Sequence, residues 1–282
     1  MDILDKYYVF CTLDEELIEP SYVFFRTLFK HNSYIKLHVH CINFSKEKLE
    51  EYSKVINTYW EDNIEIISET IHLNAPPPPH FKLRSCTHHY NALMSKIIIC
   101  GRRYKPYMFH LDLDMIVHGD FSELFQEYSE ELIGHCYDSE VINAGVMIVH
   151  VPDRDISADL NEYLHSPYIN TENYVPDEGY IVHQHLRTKV IHAKYCASYY
   201  ARSGITISVS KIVHLLSDFK PYRSWDKVNT DKLIIIPMFK EWLDVYDSFD
   251  KSLFPTISPI VEQNRSTIEK LAPLCKRMYN IK

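Results

Sequence analysis

The sequence predicts a mixed α/β fold whose mixed sheet begins with parallel β–α units, and three observations carry that expectation. Short apolar runs of strand length alternate with amphipathic stretches of helix length through the first third of the chain. A mostly apolar run, Tyr107 to Leu111, with His110 its one exception, follows a helical stretch and ends in acids, as buried strands of parallel sheets do. The composition, 46% hydrophobic with six glycines in 282 residues, suits an ordinary packed globule.

Taken in order, Tyr7 to Cys11 reads as a strand, Pro20 to His31 as a helix and Ile35 to Ile42 as a second strand. Ser45 to Trp60 reads as a helix opened by a serine cap, followed by a strand at Ile64 to Ile67. This is the βαβ rhythm of a nucleotide-binding sheet. Pro76 to Pro79 interrupt it with a stiff, extended loop, because proline locks φ and donates no hydrogen bond. A helix from about His88 to Cys100 then leads into the strand ending in Leu-Asp-Leu-Asp. Gly119 permits a turn, and Asp120 or Ser122 caps a helix over Glu123 to Tyr128. Strands follow at Leu132 to Cys136 and Ala144 to His150, a polar, mainly helical region begins after Asp153, and another strand covers Lys211 to Leu215. Beyond Trp225, helices and loops are expected to wrap the domain. The division is a main domain over residues 1–240 and a helical extension over residues 241–282.

Against 38 Asp and Glu stand 30 Lys and Arg, a formal charge of -8, which excludes a broad electrostatic grip on nucleic acid. Any phosphate must be met locally, by a metal or by a few placed cations. Seven cysteines lack a Cys-x-x-Cys pair and sit mostly in apolar runs, so they read as buried thiols of a cytoplasmic protein. The opening MDILDKYYVF has neither the basic start nor the long apolar stretch of a secretory signal, and no segment approaches a membrane span. Arg265, Lys270, Lys276, Arg277 and Lys282, interleaved with Ile268, Leu271, Leu274 and Tyr279, read either as a solvated tail broken at Pro273 or as a peripheral contact with an anionic membrane or acceptor. The sixteen histidines show no second ligand pair at structural-zinc spacing and read as surface or core residues.

Asp112 and Asp114 stand two apart at a strand end, so both side chains point to one face. Paired carboxylates there form a hard, oxygen-rich site for Mn²⁺ or Mg²⁺. The apolar run before them brings no basic partner in sequence, which favours a bound cation as the compensating charge.

MFHLDLDMIVHGDFSELF resembles the segment of family 8 glycosyltransferases, the group of glycogenin and the lipopolysaccharide galactosyltransferases, in which a strand ends in Asp-x-Asp and is followed by Gly-Asp and a short helix. Similar blocks recur in the family's order: INAGVMIVH from Ile142, PDEGYIV from Pro176 and VHLLSDFKPY from Val213. The resemblance spans roughly Tyr7 to Tyr222 and implies a GT-A fold, a UDP-sugar donor, a divalent metal and retention of anomeric configuration. It implies that His214 completes the metal site of Asp112 and Asp114, and that Lys220, six residues later, binds the donor diphosphate. Neutral imidazole suits Mn²⁺, and a lysine at the leaving phosphate stabilises its charge. By the same resemblance Asn143 lies near the donor sugar or acceptor, Gly145 permits close backbone approach, and Asp138 is a loop acid on the sugar hydroxyls. Lys96 reaches the donor, while Thr12 and Asp14 read uracil and ribose. Asp177 hydrogen-bonds the donor sugar, and the next residue lies beside the anomeric carbon.

Three departures stand out. Glu178 replaces the family's Gln, Ser217 its usual Gly and Tyr222 its usual Trp. A carboxylate at 178 could stabilise an oxocarbenium-like centre or form a covalent glycosyl intermediate, so double displacement and front-face attack both stay open. The resulting expectation is a retaining hexosyltransferase, moving glucose or galactose from UDP to a saccharide or glycoconjugate acceptor. A haloacid-dehalogenase-type phosphatase also uses Asp-x-Asp after an apolar strand, but places it at the first strand. A sugar-nucleotide binding protein would keep the metal site and lack turnover.

Overall fold

The computed structural model describes residues 3–73, 87–127, 133–138, 141–150, 156–165, 178–180, 188–198, 204–215, 219–225 and 227–281. In chain order its main elements are β1 (Tyr7–Leu13), α1 (Ile18–His31), β2 (Leu37–Ile42), α2 (Lys46–Trp60), β3 (Ile64–Glu69), α3 (Thr87–Gly101), β4 (Tyr107–Leu111) and β5 (Met115–Val117). There follow α4 (Glu123–Glu127), β6 (Ile133–Asp138), β7 (Val141–Val149), α5 (Ile156–Leu164), β8 (Thr188–Ile191), α6 (Gly204–Val209), β9 (Ile212–His214), α7 (Ile236–Tyr246) and α8 (Ser258–Tyr279).

Seven strands form one mixed sheet in the order β3-β2-β1-β4-β7-β6-β8. The first four neighbours are parallel, and β7 runs antiparallel between β4 and β6. Alternation along each strand explains why the sheet is covered on both sides. Tyr7, Val9, Cys11 and Leu13 of β1 join one core with Phe109 and Leu111 of β4, α1, α2 and the C-terminal helices. Tyr8 and Phe10 join a second core with Met108, α3 and α5. That second face also carries histidines, and of the two readings, surface or core, His40 takes the core one. His40 bonds the Tyr8 hydroxyl at 3.1 Å and Glu69 at 3.0 Å, and Glu69 also accepts from Arg102.

Most sequence-read elements occupy their predicted places, with ends shifted by a few residues as expected for fraying termini. Ser45 caps α2 by accepting the Lys48 N–H at 3.2 Å. The strand read over Lys211 to Leu215 is present as β9, and it pairs antiparallel with β5, a three-residue strand too short to announce itself by periodicity. One expectation is corrected: Pro273 does not break the last helix, and α8 is not a solvated tail. The helix runs through Pro273, which lies on the solvent side, while Val261, Asn264, Ile268, Ala272 and Cys275 are buried. Proline removes one N–H, and on an exposed face the carbonyl it leaves behind is met by water. The proline loop, Pro76 to Pro79, lies outside the described residues.

Polar ties fix α8 to the rest. Glu19 of α1 accepts the backbone N–H groups of Thr256 and Ile257, both at 2.9 Å, just before α8 begins. Asn264, 3% exposed, donates its amide to the carbonyls of Pro221 at 3.0 Å and Arg223 at 2.7 Å. Arg265 clasps Asp247 with two hydrogen bonds of 2.8 Å.

Two predictions follow from these ties. Asn264→Ala leaves two buried carbonyls without donors and is expected to cost about 2 kcal/mol in urea unfolding. The Arg265 guanidinium, assisted by Lys251, lowers Asp247 from its ordinary 3.8 to about 2. A depressed carboxylate stabilises the fold fully above its unfolded value, and that contribution disappears as pH falls through the folded one. Arg265→Leu should therefore flatten the stability–pH curve between about 4 and about 2, measured by thermal melts across that range.

Candidate functional site

β1 and β4 are parallel neighbours with Phe10 opposite His110, so the segments that leave their carboxyl ends emerge together. These are Asp14, just past Thr12 and Leu13 at the end of β1, on one side and Asp112 to Asp114 on the other, at the carboxyl ends of parallel strands, where α/β folds place ligands. β4 ends at Leu111, and the next three residues are held by the backbone from both sides. Asp112 N–H donates to Gly145 of β7, and Leu215 N–H donates to Asp114, each at 2.8 Å. The β5–β9 pairing sets Met115 opposite His214, which brings an imidazole a hundred residues distant onto the carboxylates.

His214 Nε2 lies 2.8 Å from Asp114 Oδ1 and 3.6 Å from Asp112 Oδ2. One donor atom from each of Asp112, Asp114 and His214 falls within 4.8 Å of the others, and among the described residues this is the one such group able to hold a metal ion. Two carboxylate oxygens and an imidazole nitrogen form a donor set suited to Mn²⁺ or Mg²⁺. The carboxylates retain 25% and 15% exposure while the imidazole keeps 3%, so the site opens on its acidic side.

The acids are not without basic partners, as their sequence neighbourhood had suggested. Lys96, from α3, places Nζ 3.1 Å from Asp112 Oδ1, and Lys220 bonds Asp114 Oδ2. Both lysines arrive from distant segments, which local sequence cannot show. Burial alone would raise the Asp114 carboxyl, yet Lys220 and His214 hold it well below the usual carboxylate range. Burial alone would lower His214, yet Asp114 raises it to about 10. His110 lies behind, 3.6 Å from Asp112 Oδ1, where burial first and Lys96 second hold its imidazole well below the ordinary value.

Behind His214 the fit is close. Its Nδ1 lies 3.0 Å from Asn143 Oδ1, which also accepts the Gly145 N–H at 2.9 Å and faces the Cys196 thiol at 3.6 Å. A Cβ on Gly145 would stand 2.5 Å from the imidazole and 2.8 Å from Met115. The close approach read for Gly145 is thus to a histidine of this chain. Cys196 was not singled out from the sequence, and no local pattern marked it.

The other sequence candidates are distributed as follows. Asp14 is buried and caps a single turn at Glu15–Leu17, accepting the N–H groups of Glu16 and Leu17 at 3.0 and 3.1 Å. Thr12 is half-buried on β1. Glu178 is buried at 8% exposure, and Tyr222 packs on Trp242. Asp138 falls in β6, paired with Val141 of β7, rather than in a loop. Asp177 and Ser217 lie outside the described residues.

No protein-family model and no curated protein matches the chain. Solved structures do. The glycosyltransferase GlyE of Streptococcus pneumoniae superposes with a TM-score of 0.61 at 16% identity, over 93% of this chain and 64% of that one. The galactosyltransferase LgtC, solved with donor and acceptor sugar analogues, gives 0.60 at 12% identity over 86% of this chain and 96% of that one. The fold is the GT-A fold. The bifunctional glycosyltransferase WbbM shares it, with a TM-score of 0.56 at 12% identity, 86% of this chain covering 51% of that one. This GT-A chain thus spans less than two thirds of the pneumococcal enzyme and matches LgtC over nearly its whole length.

Gly145→Ala forces a methyl group into the His214 ring and is expected to weaken Mn²⁺ binding by roughly tenfold or more, since displaced support of a ligand costs that much. Calorimetry on the purified protein reads this directly; unchanged affinity would show that the imidazole can retreat without leaving the site.

Proposed function

We propose that the chain is a retaining hexosyltransferase, which moves glucose or galactose from a UDP-sugar to a saccharide or glycoconjugate acceptor with Mn²⁺, or Mg²⁺, as its metal. The observation that carries this reading is the convergence of Asp112, Asp114 and His214 with Lys96 and Lys220 at the carboxyl edge of a GT-A sheet. A bound divalent ion supplies Lewis-acid charge to the donor's diphosphate. The protein's part is to hold that ion with two carboxylates and one imidazole, and to add the Lys220 ammonium where charge develops on the leaving phosphate. Lys220 already lies beside Asp114, so it moves little to meet a phosphate at the same acid.

The remaining assignments belong to the same reading. Thr12 and Asp14 lie at the end of β1 for uracil and ribose, Lys96 beside Asp112 for the donor, and Asn143 near the sugar. Asp138, Asp177 and Glu178 serve the sugar ring and anomeric carbon; burial of Glu178 suits a carboxylate facing a cationic transition state more than a solvated helix start. The catalytic domain is assigned to residues 1–240 and the helical extension to residues 241–282, with α7 running across that boundary. No described helix is long and apolar enough to cross a membrane. We place the enzyme in the cytoplasm on its cysteine usage, buried free thiols among the described residues. The partners are the nucleotide-sugar and the acceptor, not nucleic acid.

A panel of UDP-sugars incubated with the protein, scored for UDP release in Mn²⁺ and in EDTA, tests this. Release from one donor that vanishes with chelator is expected, and names the sugar. Asp114→Ala should abolish that turnover, whereas His118→Ala, whose ring pairs with Glu241 at 2.8 Å, should leave it intact. Equal loss in both variants would mean that the site lies elsewhere. Silence with every donor, together with no metal-dependent UDP binding, favours a binding protein or a phosphatase.

A further inference from the structure

The hydrogen bonds behind His214 determine which of its two nitrogens faces the acids. Asn143 Oδ1 accepts the Gly145 backbone N–H at 2.9 Å, and a backbone N–H can only donate. The atom at that position is therefore the amide oxygen and not the amide nitrogen, which removes the usual ambiguity of an asparagine flip. The same oxygen lies 3.0 Å from His214 Nδ1. Since an oxygen without hydrogen can only accept, Nδ1 must carry the proton. The Cys196 thiol, 3.6 Å from the same oxygen, adds a third group on that side.

We infer that Asn143 is a positioning residue for metal binding: it holds His214 as the Nδ1–H form and so aims the Nε2 lone pair at the ion between Asp112 and Asp114. This rests on the proposed metal site and changes the role expected of Asn143, from contact with the sugar to support of a ligand. A ligating histidine needs a fixed tautomer and ring orientation, and a partner on the distal nitrogen supplies both. Here the chain of bonds is short and buried, from the Gly145 backbone through Asn143 Oδ1 to His214 Nδ1. It is also sterically closed, because the ring has a glycine beneath it where any side chain would intrude at 2.5 Å.

Mn²⁺ binding, measured without nucleotide by paramagnetic resonance of the free ion, tests the inference. Asn143→Leu keeps the volume but removes the acceptor, and should weaken Mn²⁺ by roughly ten- to a hundredfold. Asn143→Asp keeps an acceptor oxygen and should restore binding to near that of the unmodified protein. If Asn143→Leu binds Mn²⁺ normally and only its KM for donor rises, Asn143 touches the sugar and the inference is wrong. If the unmodified protein binds no Mn²⁺, the metal reading itself fails first. Should Asn143→Leu not fold, ¹⁵N-histidine spectra of the unmodified protein with diamagnetic Mg²⁺ decide. A His214 signal protonated on Nδ1, identified by its loss in His214→Gln, supports the inference; Mg²⁺ on Nδ1 overturns it.

Discussion

The chemistry of this molecule depends on how one short segment is gripped. Residues 112–114 leave the end of β4 without a strand partner of their own kind, and two backbone hydrogen bonds hold them, one from Asp112 to Gly145 and one from Leu215 to Asp114. The first ties the segment to β7 of the main sheet. The second ties it to the strand that carries His214. Because both grips are on the backbone, the side chains of Asp112 and Asp114 stay available, and their spacing is set by the chain rather than by any ligand. The two-stranded β5–β9 sheet is small, but without it His214 would have no reason to meet acids a hundred residues earlier.

Gathering these acids has an electrostatic cost, and the structure shows how it is offset. Two carboxylates so close repel one another and lose hydration, and either effect alone would favour protonation. Lys96 answers Asp112 and Lys220 answers Asp114, with His214 between them. Such pairs seldom add much net stability once desolvation is counted. Their value lies in the ionised form in which Lys220 and His214 hold Asp114, the form that takes up a divalent ion. The same pairing explains why one end of the cluster is closed and the other partly open: the cations and the imidazole approach from the protein side, leaving the acids toward solvent.

Much of the fold was legible in the sequence, because its first half obeys simple periodicity. β1, β2 and β3 are bounded by recognisable caps and helices, and β4 is an apolar run with acids at its end. The two acids were legible from residue type and spacing, whereas His214, Lys220 and the close approach at Gly145 entered only through the resemblance to family 8 glycosyltransferases. What could not be read were contacts made across the fold. β5 is three residues long and β9 no longer, so neither has a period to detect. The pairing of Lys96 with Asp112 depends on the angle at which α3 crosses the sheet. Cys196 sits in an ordinary apolar context, and its place behind Asn143 follows only from the tertiary path. The misreading of α8 has a different origin: a proline at 273 and five dispersed cations look like a tail in sequence, while the apolar stripe through Val261, Ile268, Ala272 and Cys275 decides the helix once there is a core to cover.

That stripe also links the last helix to the site. Lys220 lies in the described stretch 219–225 between β9 and α7, which forms neither helix nor strand, and such segments are normally free to move. This one is fixed on each side. Trp225 donates its indole N–H to the Lys220 carbonyl at 2.8 Å, while Phe219 and Trp225 pack against Phe239 of α7. Asn264 of α8 then holds the carbonyls of Pro221 and Arg223, and Tyr222 packs against Trp242. A polar residue buried in an apolar helix face is normally a liability, and here both hydrogens of its amide are spent on the loop that carries the lysine. The C-terminal helices are therefore part of what orients the ammonium group at Asp114. Their packing and the chemistry of the site are one constraint, satisfied by the same few residues.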